Sequence, residues 1–145
     1  MMTFEEEIAK SGKLVYTTVG VSMRPLIKQG RDILIVSKPE GRLKKFDVPL
    51  YKRRNGQYVL HRVVKVKEDS YAILGDNCIK WESNIKDDQI IGVLTSLVRN
   101  GKEIDLNGFG YKFYSRAWYV LYPVRVIFMG ARKLAGKIRR KLIRK

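Results

Sequence analysis

Apolar residues come in short runs and alternations through most of the chain, the pattern of β-strands, and only the two ends carry helical spacing. Thr3-Phe4-Glu5-Glu6 has the spacing of a capping box, and Phe4 with Ile8 forms one apolar stripe, so a short helix is predicted over residues 3–10, stopping near Gly12. Lys13 to Val21, rich in Val, Thr and Tyr, reads as a strand that leads into Ser22. Asp32 to Ser37 is a nearly unbroken apolar run, which predicts burial of both faces. Asp47 to Tyr51 is a short strand that Pro49 assigns to an edge or a bulge. Asn55-Gly56, set between Tyr51 and Tyr58-Val59-Leu60, predicts a hairpin whose second arm, Gln57 to Val66, carries His61. Tyr71 to Leu74 pairs next and ends at Gly75-Asp76-Asn77. A looser polar stretch through Trp81, Glu82 and Ser83 then gives way to a strand from Gln89 to Val98, which turns at Asn100-Gly101 into Lys102 to Leu106. Strands at this spacing, about seven or eight with no helices between them, predict a mainly β, antiparallel domain over residues 1–108.

The character changes beyond that point. Tyr111, Phe113, Tyr114, Trp118, Tyr119 and Tyr122 precede a basic end in which Leu134, Ile138 and Leu142 recur every fourth residue. Pro123 breaks or kinks any helix there. Residues 109–145 therefore read as an aromatic and basic helical tail suited to an anionic membrane surface, with RNA binding and packing on the domain as competing uses. Charge sharpens this picture: 30 Lys and Arg against 14 Asp and Glu give +16, and the last fourteen residues hold eight bases and no acid. No window reaches the ~18 consecutive apolar residues of a membrane span. The N-terminus, acidic at Glu5, Glu6 and Glu7, lacks the apolar stretch of an export signal, so the expected location is cytoplasmic and peripheral to the membrane. One cysteine, Cys78, and one histidine, His61, exclude an internal disulfide and a thiolate metal cluster and disfavour zinc, so no cofactor is expected.

Ser22 stands between an apolar run and Met23-Arg24-Pro25, at the expected end of a strand. A hydroxyl so placed is most often a turn or cap donor. As a nucleophile it needs a base, and His61 is the one side chain whose ordinary pKa lies near neutrality. A carboxylate behind the imidazole would fix its tautomer, and Asp76, Glu82, Asp87 and Asp88 are the candidates.

Four segments in order, Gly20-Val21-Ser22-Met23-Arg24-Pro25, Gly30 to Val36, His61 to Val66 and Gly75-Asp76-Asn77, resemble the boxes of the type I signal peptidase and self-cleaving repressor superfamily of serine peptidases. The resemblance covers residues 14–98. It implies a coiled antiparallel β-sheet domain with Ser22 as nucleophile and His61 as base, as in the branch where histidine replaces the usual lysine. It also implies an acidic partner a few residues after the Gly-Asp-Asn turn, where Glu82 stands, with Asp76 and Asp88 as alternatives. Two features depart from the pattern: Gly20 occupies the position where the family often has a hydroxyl oxyanion donor, and no N-terminal anchor is evident. The implied activity is a serine endopeptidase that trims a precursor or leader peptide at the cytoplasmic membrane surface. The alternative is a non-enzymatic basic module tethered to membrane or, less favoured, to nucleic acid. The sequence carries no signal for oligomeric state.

Overall fold

The computed structural model describes residues 1–144, so Lys145, the last residue of the expected tail, lies outside the described residues. The elements in order are α1 (Phe4–Ser11), β1 (Lys13–Tyr16), β2 (Asp32–Ser37), β3 (Pro49–Lys52), β4 (Tyr58–Leu60), β5 (Arg62–Val66), β6 (Tyr71–Leu74), β7 (Glu82–Ile85), a short 3-10 turn (Asp87–Gln89), β8 (Ile90–Arg99), β9 (Lys102–Asp105), α2 (Phe109–Val120) and α3 (Tyr122–Ile143). The strands form two antiparallel sheets. The first has six strands, ordered β1-β2-β8-β3-β4 with β9 also on β8; the second is the meander β5-β6-β7.

Local chemistry explains most boundaries. Thr3 and Glu6 complete the capping box of α1, and Gly12 closes it at φ 76°, a conformation that glycine adopts without penalty. The Asn55-Gly56 hairpin forms, with Leu50 opposite Leu60 and Lys52 opposite Tyr58. Leu14, Leu34, Val36, Leu50, Leu60, Leu94 and Leu97 from the larger sheet pack with Ile8 of α1 and with Met23 and Ile27 of the segment around Ser22. A second cluster joins Tyr51 to Val63, Tyr71, Ile73 and Ile85 of the smaller sheet.

Several sequence expectations change. β1 ends at Tyr16 rather than running to Val21, and Ser22 opens a turn in which the Arg24 N–H donates to the Val21 carbonyl at 3.1 Å and the Ile27 N–H to the Met23 carbonyl at 2.9 Å. The run 32–37 buries one face more than the other: Asp32, Leu34 and Val36 are inside while Ile33 is 41% exposed. β3 lies inside the sheet, between β8 and β4, and tolerates Pro49 because that residue is its first and needs no ladder donor; the expected bulge is present between Leu50 and Tyr51. The stretch through Glu82 and Ser83 is a strand, β7. At the C-terminal end, the chain breaks at Leu121 and Pro123 sits in the first turn of α3, where its missing N–H costs nothing. α2 is not a free tail: Tyr111, Tyr114 and Trp118 all hydrogen-bond to the β domain.

Asp32 ties the end of the serine segment to the sheet. Its buried carboxylate accepts from the Lys28 N–H at 2.9 Å, from Arg31 and from Arg99 Nε at 2.7 Å, and both arginines also donate to the Leu26 carbonyl. Burial works against the charge, but these donors prevail and hold the carboxyl far below its ordinary pKa of 3.8. Its stabilisation is complete above that ordinary value and fades only as pH falls below it. Asp32→Ala is expected to lower unfolding free energy by about 2 kcal/mol, less than a fully buried pair because both arginines reach solvent, measured by urea denaturation at neutral pH.

Candidate active site

His61 occupies the one-residue gap between β4 and β5, where the chain leaves the larger sheet and enters the smaller. Neither strand pairs it, so the ring is set at the seam between the two. It is 8% exposed. Its Nδ1 lies 3.5 Å from the Tyr51 hydroxyl and 4.0 Å from Glu82 Oε1. Its Cδ2 edge faces the other way, toward Gly75, where an added Cβ would stand 3.0 Å from Cδ2, 2.8 Å from the Ser22 carbonyl and 2.7 Å from Cys78 Sγ. The Ser22 backbone and the imidazole edge therefore straddle Gly75, and only a residue without a side chain fits between them.

The Gly75-Asp76-Asn77 turn is fastened to the serine segment at two points. The Asn77 N–H donates to the Ser22 carbonyl at 2.8 Å, and its side-chain amide donates to the Val21 carbonyl at 3.1 Å. Ser22, half-buried, lines one cleft with His61, about 350 Å³ in volume. Thr18, Val19, Gln57 and the end strand β4 also line that cleft.

Among the four acidic candidates, Glu82 is the one that approaches the imidazole. Arg53, from the hairpin loop, grips Glu82 through Nε at 3.1 Å and through Nη2. Burial tends to raise the Glu82 pKa, yet the Arg53 hydrogen bonds and charge bring it below its ordinary 4.5. For His61 burial is the leading effect and lowers its pKa below 6.5; Arg53 acts the same way, while Glu82 and Asp76 pull it back up. The imidazole is thus neutral at neutral pH, the form that accepts a proton. Burial, with the Glu82 charge, pushes Tyr51 well above its ordinary value and keeps that hydroxyl protonated.

Asp76 has a different position. Its side chain is 2% exposed and accepts from Arg62 at 2.8 and 2.9 Å and from the Tyr114 hydroxyl at 2.8 Å. Its carbonyl accepts from Trp118 Nε1 at 2.7 Å and Arg125 Nη1 at 2.8 Å. Asp76 therefore welds the turn beneath Ser22 to β5 and to both C-terminal helices, and acts on His61 only through its field. Asp87 pairs with Arg42 and Tyr71, and Asp88 with Arg54 at 3.4 Å; neither is joined to His61 among the described residues. Gly20, at the position of the family's hydroxyl donor, has its N–H occupied by Gln29 Oε1 at 3.0 Å. Thr18, two residues earlier, lines the same cleft. Sequence reasoning missed Tyr51, Arg53 and Thr18 as members of this site, and named Gly75 only as part of the Gly-Asp-Asn turn. Arg53 was findable only through its place beside Asn55-Gly56, since the hairpin swings that loop over Glu82. Among the described residues no group of His, Cys, Asp or Glu could hold a metal ion. No protein-family model and no curated protein sequence matches this chain.

Because His61 is the only histidine, its imidazole Cε1–H resonance is unambiguous in an NMR titration. The midpoint is expected below 6.5, to fall further in Glu82→Gln and to rise in Arg53→Gln; a midpoint at or above 6.5 in the unaltered protein contradicts the described burial.

Proposed function

We propose that this protein is a serine endopeptidase in which Ser22 attacks and His61 takes its proton, on a β scaffold of the signal peptidase and self-cleaving repressor kind. One observation carries the reading: the two edges of the imidazole face different partners, Nδ1 toward Glu82 and Tyr51 and Cδ2 toward the Gly75 and Ser22 backbone. A general base needs this polarity, with one nitrogen oriented by a carboxylate and the other free to meet a nucleophile.

The chemistry follows in two halves. Ser22 Oγ bonds to the scissile carbonyl carbon as its proton passes to His61 Nε2, and the oxyanion that forms is stabilised by the Ser22 N–H with the Thr18 hydroxyl as second donor. Collapse breaks the C–N bond, and His61 returns the proton to the departing amine. A water deprotonated by the same imidazole then hydrolyses the acyl-enzyme. The substrate lies extended along β4, an end strand whose residues line the cleft, so that backbone hydrogen bonds supply affinity. A precursor or leader peptide with a flexible segment fits this mode.

Association with an anionic membrane surface is supported by α3. Ile127, Leu134, Ile138 and Leu142 lie on its outward side, each more than half exposed, amid Arg and Lys with no acid. Among the described residues no helix is long and apolar enough to cross a membrane. The +16 charge favours a second reading, a basic tethering module without catalysis, and the variants below separate the two.

A proteome-derived peptide library, scored by mass spectrometry for new termini, is expected to be cut by the unaltered chain, with loss of about 10³-fold or more in Ser22→Ala and in His61→Ala. The acid limb of the rate falls below pH 6.5, following the neutral imidazole. Cleavage that persists in Ser22→Ala defeats the proposal. Leu134→Glu with Ile138→Glu is expected to abolish co-sedimentation with phosphatidylglycerol vesicles; unchanged sedimentation rejects the membrane role.

A further inference from the structure

His61 borders two openings. Besides the cleft shared with Ser22, a groove of about 570 Å³ runs between the 77–82 segment and α3, and Arg53, His61 and Cys78 are common to both. The second groove thus continues the first past the imidazole. Its apolar lining is Ile79, Trp81 and Met129, and Lys80 of the 77–82 segment and Lys133 of α3 line it as well.

The far wall is held in place. Arg125, Met129 and Lys133, spaced by four, share one face of α3, and Leu134, Ile138 and Leu142 lie on the face opposite. Arg125 is bound to the Asp76 carbonyl, the Tyr122 hydroxyl donates to the Ile79 carbonyl at 2.6 Å, and Trp81 packs edge-on against Tyr122 with centroids 5.8 Å apart. One helix therefore shows its apolar stripe outward and its Met129 and Lys133 inward to the groove. The acid inside, Glu82, is already paired with Arg53. Lysines in ion pairs among the described residues are Lys52 and Lys86, which leaves Lys80 and Lys133 uncompensated.

We infer that this groove seats an acidic segment of the substrate on one side of the scissile bond, its carboxylates between Lys80 and Lys133 and an apolar neighbour against Trp81 and Met129. The word substrate rests on the peptidase reading; the acidic-peptide site does not. Two unpaired ammonium groups lining a concave, partly apolar space attract anions more strongly than the same charges on an open face, within a Debye length of about 8 Å. A peptide suits the groove because it opens onto the imidazole, whereas the membrane-facing stripe is on the other side of α3.

The test uses the full chain carrying Ser22→Ala and three fluorescein-labelled octapeptides that alternate Leu with Glu, Gln or Lys, read by fluorescence anisotropy. The Glu peptide is expected to bind about tenfold tighter than the Gln peptide, and Lys80→Glu with Lys133→Glu to reverse the preference toward the Lys peptide. Lys13→Glu with Lys102→Glu, on β1 and β9, makes the same change in net charge and is expected to leave the preference intact. Equal affinity for Glu and Gln peptides, or the same loss in both double variants, overturns the assignment. Ser22-dependent cleavage with no acidic residues enriched beside the cut sites also overturns it and leaves the peptidase standing. Groove-dependent binding of the Glu peptide, with no Ser22-dependent cleavage of any library, supports the groove and removes the peptidase.

Discussion

The docking of the Gly75-Asp76-Asn77 turn onto the serine segment is the contact on which the rest depends. Ser22 is not on a strand, so no ladder positions it; the Asn77 donors to the Val21 and Ser22 carbonyls do. That turn is itself fixed by the buried Asp76–Arg62 pair, whose charges are tolerated because Asp76 also accepts from the Tyr114 hydroxyl and Arg62 also donates to the Tyr111 hydroxyl and the Phe46 carbonyl. Removing one member leaves an uncompensated charge in the interior, so the turn and the serine segment stand or fall together. Gly75 sets the spacing, since any larger residue would drive the imidazole and the Ser22 backbone apart.

The seam between the sheets gives His61 its second property. A histidine within a ladder would have its ring held to one face of one sheet; in the gap between β4 and β5 it borders the larger sheet, the smaller sheet and the serine segment at once. Burial there costs the protonated form, and Arg53 adds to that cost while screening Glu82. Glu82 is close enough to orient the ring, yet its charge is shared with Arg53 and does not lock the imidazole as a cation. The balance favours a neutral imidazole at neutral pH.

Much of this was legible in the chain. Capping-box spacing located α1, Asn55-Gly56 the hairpin, Asn100-Gly101 the β8–β9 turn, and Pro123 the helix break near Leu121, because each is a short-range effect of backbone chemistry. The long-range parts were not. The extent of β1 was misread because Thr17 to Val19 have strand propensity but no partner. β7 was missed because its polar sequence becomes a strand only through pairing with β6. Asp76 looked equivalent to Glu82 as a partner for His61, and nothing local distinguishes them; Arg62 and α2 claim the one, and Arg53 turns the other toward the ring. The role of α2 as a clamp on the domain likewise depends on where Asp76 lies, not on its own aromatic spacing.

The central claim is that folding makes the Ser22 hydroxyl a nucleophile through His61. A fluorophosphonate probe, followed by intact mass and peptide mapping, tests this without knowledge of the substrate. A single adduct on Ser22, formed by the unaltered chain and absent in His61→Gln, is the result expected. No adduct at all, or labelling of Ser22 at an equal rate without the imidazole, would contradict it.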